Sequence, residues 1–535
     1  MTRFTTARSL ALLALFPLGA MLLRLGMSDS FLYDEAEQYL VAEDLRPGYP
    51  NQPPLFYWGV HAVSRLIGMG LPAIVLVKYA CLLLMYAGLY ASARCLFPLS
   101  TNPRGPDIAL VVAGSALLIP QFSAKIIEDL THTVLMLAVT AWTTWAFLRV
   151  MASRRLRDYG VLGLLFGLGM LSKYNYLIPA AALTGSALLS RQHRGAVLNP
   201  RFLLAILIGL AVLLPHLVWL WQESFQPLGY AMARGRVGGL GLAGAGKILV
   251  SSYWPCALYA LVVGLCFGCR LGQPDELAGD AAGLHPLIRR AGLLALGLPM
   301  VAIASGLLGF FKAKWLTASM LLLPLAVFSL TRRDLLLRRR APFGRGVALV
   351  GVLVLGARAL PGFAPDITGS GPRELIPYDH LSTQLETRIA AHGWNPAQTL
   401  LVTRTPLLAA NLLKLSSFGG YVIVREEPTA EQRRLMATYP RAVLVWDAGP
   451  DRGPGPPTEL GQAYPEAVSQ QPLTALYRRS TKERYALGWA FAEASHGSGT
   501  SHVSGASHGS GASPAGLSPA RPADQPPPAP AGTGA

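Results

Sequence analysis

Residues 202–221 read FLLAILIGLAVLLPHLVWLW, a run of twenty positions without one Asp, Glu, Lys or Arg. An α-helix of twenty residues is about 30 Å long, which is the thickness of the hydrocarbon layer of a membrane. Of the 535 residues, 52% are hydrophobic and only 14% are charged, whereas soluble domains carry about 25% charged residues. Stretch and composition together predict an α-helical polytopic membrane protein.

Ten more apolar stretches lie on either side of this one. They are residues 9–26, 71–97, 107–122, 130–150, 159–172, 175–190, 247–269, 291–310, 315–330 and 346–361. Stretches 107–122, 159–172 and 346–361 are short for a membrane span, so we expect about 11–13 transmembrane helices. The first stretch has no small-residue cleavage site behind it, so we expect a retained helix and not a removed signal peptide. Residues 53–69 are amphipathic and predict an interfacial helix.

The arginines predict the orientation of these spans. They fall in short clusters after alternate apolar stretches: Arg94, Arg104, Arg154, Arg155, Arg157, Arg191, Arg194, Arg201, Arg270, Arg289, Arg290, Arg332, Arg333, Arg338, Arg339, Arg340 and Arg345. Loops rich in Lys and Arg stay in the cytoplasm. The N-terminus is therefore expected in the cytoplasm, in an inner (plasma) membrane. The net charge of +17 is not taken to indicate nucleic acid, because no motif of a nucleic-acid-binding fold accompanies it.

The chain changes character after the last apolar stretch. Within residues 362–490, three runs rich in β-branched residues (399–403, 421–426 and 442–448) alternate with helical patterns at 380–395, 406–415 and 429–437. This alternation predicts a small extracytoplasmic α/β domain with a partly parallel sheet. Residues 491–535 are rich in Ser, Gly, His and Pro and are expected to be a disordered tail. Residues 1–361 would form the transmembrane catalytic domain.

The loops predicted to face outward carry most of the chemistry. Directly after the first span comes YDEAEQY (33–39), with three carboxylates in four residues. A carboxylate there can accept the proton of an attacking hydroxyl, and cations can hold the phosphate of a leaving group. The outward-facing candidates are Asp34, Glu35, Glu128, Asp129, Lys173, Tyr174, Arg234, Arg236, Lys312 and Lys314. Ordinary interface residues, and an anchoring role for Lys312 and Lys314, remain alternatives.

These stretches resemble glycosyltransferase family 39, which includes protein O-mannosyltransferases and lipid A aminoarabinose transferases and has the GT-C fold. The resemblance covers roughly residues 8–330. It is carried by YDEAEQY, PNQPPLFYW (50–58), EDL (128–130), GLGMLSKYNYLIP (167–179), PHLVWLWQESFQPLGYA (215–231) and FFKAKWL (310–316).

The resemblance implies a polyprenyl-phosphate sugar donor, used at the outer face of the membrane. It implies Asp34 as the catalytic base with Glu35 as its neighbouring acid, Asp129 as the acidic residue of the second loop and Lys173 as a donor-phosphate contact. The loop residues Gln52, Pro53, Pro54 and Tyr57 would shape the site or contact the acceptor. The acceptor stays open between an envelope lipid, a glycan and a protein.

Two positions depart from the family pattern. Gln52 stands where many members have Lys, and Asn51 stands where some have a metal-binding Glu. The departure shifts the expected phosphate contacts toward Arg234, Arg236, Lys312 and Lys314. No cofactor is assigned; a divalent metal stays open, with Asp129 and His216 as its candidate ligands. Two other function classes also stay open: a flippase of a lipid-linked saccharide, and a membrane scaffold whose outer domain binds a partner.

Overall fold

The computed structural model describes residues 2–98, 107–225, 242–269, 283–305, 315–369, 371–424, 430–448 and 455–493. By internal contacts the chain divides into two compact units. The first is Met1–Gly26 with Val41–Ala359, and the second is Met27–Leu40 with the described residues from Leu360 onward. The segment that carries Asp34 therefore groups with the C-terminal residues.

The regular secondary structure of the first unit is helical in its described part, apart from one isolated β-bridge between Cys269 and Thr331. Its α-helices are Thr2–Met27, Leu55–Ile67, Leu71–Leu96, Ile108–Gly114, Ala124–Glu128, Thr131–Ser153, Leu156–Ser172, Leu177–Leu188, Arg194–Val197, Pro200–Gln222, Leu242–Phe267, Leu284–Ala304, Thr317–Met320, Leu323–Phe328 and Arg333–Phe363. Short 3₁₀ turns follow at Ser115–Leu118 and Tyr174–Tyr176. The amphipathic helix expected at 53–69 is present as Leu55–Ile67.

Seven of the described helices are long and apolar enough to cross a membrane, so the chain is a multi-pass membrane protein. They are Thr6–Met27, Leu71–Leu96, Thr131–Ser153, Pro200–Gln222, Gly246–Phe267, Leu284–Ala304 and Arg333–Phe363. Two of the stretches expected to span are broken into shorter pieces, at 108–118 and 317–328. Stretch 346–361, expected to be short, belongs to a 31-residue helix that begins at Arg333, because the arginine-rich residues before it continue the same helix.

Burial separates the inner helices of this unit from those that face lipid. Most of Leu71–Leu96 and Thr131–Ser153 is buried, whereas little of Pro200–Gln222 is. The latter helix leaves Leu203, Leu207 and Leu214 exposed. Such a face is stable where the surrounding solvent is hydrocarbon, because lipid tails are as apolar as leucine.

Small residues let two of these helices approach closely. Gly163 and Gly167 lie four residues apart on Leu156–Ser172. A Cβ on Gly163 would lie 2.4 Å from the carbonyl oxygen of Ala205, and one on Gly167 would lie 2.8 Å from that of Gly209. Matched small residues at spacing four are typical of helix pairs packed in a membrane, so these glycines hold the two helices together.

The second unit is built on one mixed sheet. Its strands are β1 (Leu400–Thr403), β2 (Gly420–Ile423), β3 (Arg441–Asp447), β4 (Val468–Ser469), β5 (Leu473–Leu476) and β6 (Arg484–Glu493). The order is β2-β1-β3-β6-β4, with β5 also paired to β6. Strand β1 pairs parallel with β2 and β3, and β3 pairs antiparallel with β6. The three predicted strands and the partly parallel sheet are confirmed, whereas β4, β5 and β6 were not predicted.

Six α-helices complete the described part of this unit, and several of them pack on the sheet. They are Tyr33–Val41, Pro365–Thr368, Tyr378–Ala391, Pro406–Leu413, Ala430–Thr438 and Thr458–Ala463. Every residue of β1 is buried, as is the centre of β3. Strands buried on both faces are expected where helices flank parallel strands. One face packs Leu401 and Val443 against Leu385 and Leu408.

Candidate active site

Helix Tyr33–Val41 places two adjacent carboxylates in its first turn. The Oε2 atom of Glu35 accepts a hydrogen bond of 2.8 Å from the backbone N–H of Leu32. Leu32 precedes the helix and Glu35 is its third residue, so this bond is one half of a capping box. Glu35 is 1% exposed, and its carboxylate closes the start of the helix.

Asp34 lies beside this cap in a different environment. It is half-buried, and it occupies the second position of the helix. The N-terminal end of a helix carries partial positive charge, which favours a carboxylate there. Of the two predicted acids, Glu35 is thus the buried one that caps the helix backbone at Leu32, whereas Asp34 is partly exposed.

Residues 28–32, which precede this helix, are bound at several points within the second unit. The side chain of Asn411 accepts from the N–H of Phe31 at 2.8 Å and donates to its carbonyl at 3.2 Å. Asp29 forms ion pairs with Lys414 at 2.9 Å and with Arg478 at 2.6 Å. Ser28 donates to the carbonyl of Glu374 at 2.5 Å. The residues that lead to Asp34 are therefore held by side chains that lie 380 to 449 positions further along the chain.

Electrostatics reinforce these ion pairs. Burial by itself would raise the pKa of the Asp29 carboxyl, but hydrogen bonds from Lys414 and Arg478, together with their charges, lower it to about 2. The pKa of Arg478 is raised: burial opposes its charge, but the carboxylates of Asp29 and Asp379 outweigh that effect. Asp29 thus stays ionised at any pH near neutrality.

In the first unit, the Pro-Pro loop leads into a cluster of aromatic rings. Pro54 precedes helix Leu55–Ile67, and Tyr57 is 1% exposed. The Tyr57 ring lies 4.3 Å from that of Tyr49 and 4.6 Å from that of His132. Gln52 is half-buried and Pro53 is buried. Tyr57 therefore joins the first loop to the start of helix Thr131–Ser153.

Lys173 lies next to this cluster. It connects helix Leu156–Ser172 to the turn Tyr174–Tyr176 in an extended conformation. Its Nζ atom donates to Thr133 Oγ1 at 2.8 Å, and Thr133 follows His132 directly. The structure thus brings Lys173 to the same helix end as Tyr57.

Tyr174 and His216 form a second contact in the first unit. The Nδ1 atom of His216 lies 3.0 Å from the carbonyl oxygen of Pro47, and Nε2 lies 2.9 Å from the Tyr174 hydroxyl. A carbonyl only accepts, so Nδ1 is the donor and Nε2 of the neutral ring accepts from Tyr174. Burial raises the pKa of Tyr174 to about 12, which keeps that proton on the hydroxyl. Both His216 nitrogens already have partners.

The ring of Trp219 closes this contact. It stacks on His216 with ring centres 5.5 Å apart. A Cβ on Gly48 would lie 1.9 Å from a Trp219 ring atom, so only glycine fits the loop at this position. Four segments therefore meet within the first unit: the loop 44–58, the start of helix Thr131–Ser153, the turn Tyr174–Tyr176 and the end of helix Pro200–Gln222. Such a meeting is expected if all four lie on one side of the membrane.

The remaining predicted residues are less clustered. Glu128 pairs with Lys125 at 3.0 Å, with both side chains largely exposed. Asp129 ends helix Ala124–Glu128, just before Leu130, whose φ is +78°. Arg234, Arg236, Lys312 and Lys314 lie outside the described residues. Within the described ranges, no three His, Cys, Asp or Glu side chains come close enough to hold a metal.

Sequence reasoning missed two groups of candidates. The first is Asp29 with its partners, which no local pattern indicates. The second is Lys78, which is 1% exposed within helix Leu71–Leu96, with its Nζ atom 5.6 Å from the centre of the Tyr79 ring. A lone cation inside an apolar run is a signal that could have found Lys78, because buried charges in membrane helices are costly and commonly functional.

Comparison with known proteins relates this arrangement to enzymes. Residues 51–219 match the family model described as dolichyl-phosphate-mannose-protein mannosyltransferase. The chain is 28% identical over 504 residues to the lipopolysaccharide core galacturonosyltransferase RgtB of Rhizobium johnstonii, covering 90% of this chain and 96% of that protein. It is 34% identical over 222 residues to the core galacturonosyltransferase RgtA of that organism, covering 41% and 42%.

Two solved structures resemble this chain at low sequence identity. One is ArnT from Cupriavidus metallidurans bound to undecaprenyl phosphate, at 16% identity and a TM-score of 0.49, covering 90% of this chain and 97% of that one. The other is the archaeal oligosaccharyltransferase AglB from Archaeoglobus fulgidus, at 14% identity and a TM-score of 0.44, covering 83% and 69%.

The family match covers the Pro-Pro loop, the Glu128-Asp129 pair and the Lys173 turn, and the match to RgtB extends along nearly the whole chain. The resemblance seen in the sequence motifs is thereby confirmed. Over residues 51–219 the chain is similar to the family described as dolichyl-phosphate-mannose-protein mannosyltransferase, and the chain is a multi-pass membrane glycosyltransferase.

Proposed function

We propose that this protein transfers galacturonic acid from a polyprenyl-phosphate donor to the core or lipid A part of lipopolysaccharide. The observation that carries the proposal is the similarity to a lipopolysaccharide core galacturonosyltransferase over 90% of the chain. A second relative, 26% identical over 201 residues, is a lipid A galacturonosyltransferase. Core and lipid A are both parts of lipopolysaccharide. We therefore propose lipopolysaccharide as the acceptor, where the sequence motifs left open an envelope lipid, a glycan or a protein.

The chemistry assigned to Asp34 is general base catalysis. Its carboxylate takes the proton of the acceptor hydroxyl while that oxygen forms a bond to the anomeric carbon of the sugar. The bond from this carbon to the phosphate oxygen breaks, and polyprenyl phosphate leaves with the bonding electrons. Asp34 suits this role better than Glu35, because the Glu35 carboxylate is buried and caps the helix. A positioned base of this kind contributes about a hundredfold or more to the rate.

The leaving phosphate needs cations to stabilise its charge. Lys173 is the described candidate, since its ammonium lies against Thr133 at the end of the helix cluster. Arg234, Arg236, Lys312 and Lys314 remain candidates from the sequence. Tyr57 and the Pro53-Pro54 pair give the first loop its shape, and Gln52 and Tyr174 are proposed to contact substrate.

The site is proposed to face away from the cytoplasm. The support is the arginine distribution together with the meeting of four predicted outward segments at one end of the first unit. A polyprenyl-linked donor and a lipopolysaccharide acceptor would both be available at the outer surface of the inner membrane.

The decisive experiment uses purified full-length protein in lipid with a panel of radiolabelled polyprenyl-phosphate sugars, including the galacturonosyl form. Lipopolysaccharide lacking galacturonic acid is the acceptor. Wild type is expected to move label from the galacturonosyl donor to the acceptor, and Asp34→Asn to lose about a hundredfold or more of this rate. Near-normal turnover by Asp34→Asn would overturn the base assignment. Transfer from another sugar only would overturn the donor assignment.

The same assay tests the proposed phosphate contact. Lys173→Ala is expected to raise the donor KM about tenfold or more, because one charge-assisted hydrogen bond to phosphate is lost. The acceptor KM should be unchanged. Lys482→Ala, which removes an exposed lysine of the second unit, serves as the control, and donor saturation identical to wild type in Lys173→Ala would refute the contact.

A further inference from the structure

We propose that Asn411, supported by Lys414, is a positioning residue for the catalytic carboxylate of Asp34. The inference rests on the proposed function, in that Asp34 must be the base. It assigns to the second unit a direct part in the reaction: the end of helix Pro406–Leu413 sets the place of the segment that carries the base.

The side-chain amide of Asn411 binds the backbone of Phe31 in the way that a neighbouring β-strand would. It is 1% exposed. Its Oδ1 atom accepts from the N–H of Phe31 at 2.8 Å, and its Nδ2 atom donates to the carbonyl of the same residue at 3.2 Å. Nδ2 also donates to the carbonyl of Leu407, one helical turn earlier, at 2.9 Å. The amide therefore fixes both backbone polar groups of Phe31 and is itself fixed by its own helix.

Loss of the Asn411 amide would remove the hydrogen-bond partner of the backbone N–H and C=O of Phe31. Phe31 is fully buried, and buried backbone groups without partners are strongly disfavoured. A backbone N–H and C=O that have lost Asn411 would move to find water or another partner. The segment Ser28–Leu32 would shift with them.

A shift at Phe31 is transmitted to Asp34 by short, stiff connections. Leu32 follows directly, and its N–H bonds to Glu35 while its carbonyl accepts from the N–H of Ala36 at 2.7 Å. These two bonds form the first helical turn, which contains Asp34. The ring of Phe31 also stacks on Tyr39 near the other end of this helix, with centres 4.7 Å apart. The position of Phe31 therefore constrains both ends of this helix.

Lys414 strengthens the same attachment from the end of the Asn411 helix. Its Nζ atom lies 2.8 Å from the carbonyl oxygen and 2.9 Å from Oδ2 of Asp29. It also lies 5.4 Å from the centre of the Phe31 ring. Lys414 and Asn411 therefore bind Asp29 and Phe31, two nearby residues of the segment that leads to Asp34.

The expected consequence is kinetic. Rates of transfer depend on holding the reacting atoms within a fraction of an ångström, and a 1 Å displacement can cost about a hundredfold. Substrate binding does not involve Asn411, because both of its amide atoms are engaged with backbone. A positioning role therefore predicts a lower kcat with unchanged KM values.

The test compares Asn411→Ala and Lys414→Met with wild type in full-length protein in lipid. We expect kcat to fall about tenfold to a hundredfold in Asn411→Ala and by a smaller factor in Lys414→Met, with donor and acceptor KM within about twofold. Hydrogen–deuterium exchange should rise in peptides covering residues 28–40 and stay as in wild type elsewhere. Asn395→Ala is the matched control. Asn395 also binds a backbone N–H, that of Ala397, but it does so in an exposed turn and not in the segment that leads to Asp34.

Each outcome decides between the claims. Wild-type kcat in both variants would overturn the positioning role, and so would a loss of kcat that accompanies faster exchange throughout the protein, since that indicates global destabilisation. If Asn411→Ala does not fold, Lys414→Met alone carries the test by the same two readouts. Full activity of Asp34→Asn would overturn the proposed function itself. An inactive Asp34→Asn beside fully active Asn411 and Lys414 variants would overturn only this inference.

Discussion

At the scale of single residues, Asp34 and Glu35 show how neighbouring carboxylates acquire separate roles. The sequence places both in one motif and distinguishes them only by resemblance. In the structure, Glu35 is buried and caps the helix through Leu32, whereas Asp34 is half-buried one position earlier. The burial of each carboxylate and the hydrogen bond of Glu35, and not the motif, distinguish the helix cap from the carboxylate that we propose as the base.

Asp29 leads to a prediction on pH dependence. Its pKa is lowered from 3.8 to about 2 in the folded protein. A group with a depressed folded pKa contributes stability that is fully present above its unfolded pKa and lost as the pH falls through the folded value. Asp29→Asn should therefore lower the thermal midpoint by a constant amount from about pH 5 to pH 8, and this difference should vanish between about pH 4 and pH 2.

The measurement is a series of melting curves of wild type and Asp29→Asn in the same lipid. The variant keeps the size of the side chain and removes its charge and one acceptor oxygen, so the comparison tests the ion pairs with Lys414 and Arg478. Equal midpoints at neutral pH would show that the pairs contribute nothing. A difference that persists at pH 2 would show that its cause is not ionisation.

At the scale of elements, the hairpin of β5 and β6 is, with the short strand β4, a part of the sheet that the sequence did not predict. Its turn holds Arg479, whose φ is +63° and whose guanidinium lies 4.5 Å from the centre of the Phe363 ring. Ser480 and Thr481 bind the carboxylate of Asp366. The run YALGWAFA (485–492) is rich in aromatic residues and could have signalled a strand. The short partner β5, only four residues long, carries almost no pattern of its own.

Helix packing gives a prediction for Gly163. A Cβ there would lie 2.4 Å from the carbonyl oxygen of Ala205, and backbone cannot give way cheaply. Gly163→Ala should therefore destabilise the protein by about 1–3 kcal/mol, the usual cost of overpacking. The control is Gly160→Ala on the same helix, where the nearest atom, on Ile208, is 3.9 Å away.

Both variants are compared by thermal unfolding in lipid. The Gly160→Ala midpoint should equal that of wild type, or rise slightly because alanine favours helix. Equal midpoints for the two variants would contradict the close packing of Leu156–Ser172 against Pro200–Gln222.

At the scale of the whole molecule, the orientation proposal predicts which residues are reachable from outside the cell. In a variant without native cysteines, Thr383→Cys, exposed on helix Tyr378–Ala391, should react with a membrane-impermeant maleimide in intact spheroplasts. Arg157→Cys, exposed at the start of helix Leu156–Ser172, should react only after the membrane is opened. The reverse pattern would invert the topology and place Asp34 away from an outward-facing donor.

Composition and local sequence pattern are sufficient to predict that this protein lies in a membrane and to predict most of its helices and strands. Twenty uncharged residues in a row specify a membrane helix wherever they fold, and the runs at 399–403, 421–426 and 442–448 specify strands, because these preferences act within a segment. The motifs also pointed to the resemblance that the match over residues 51–219 bears out. Only the tertiary structure decided that Met27–Leu40 groups with the C-terminal unit and that Asn411 binds Phe31 across 380 residues. Such pairings depend on how distant segments pack and on which buried backbone groups need partners, and no local pattern encodes either.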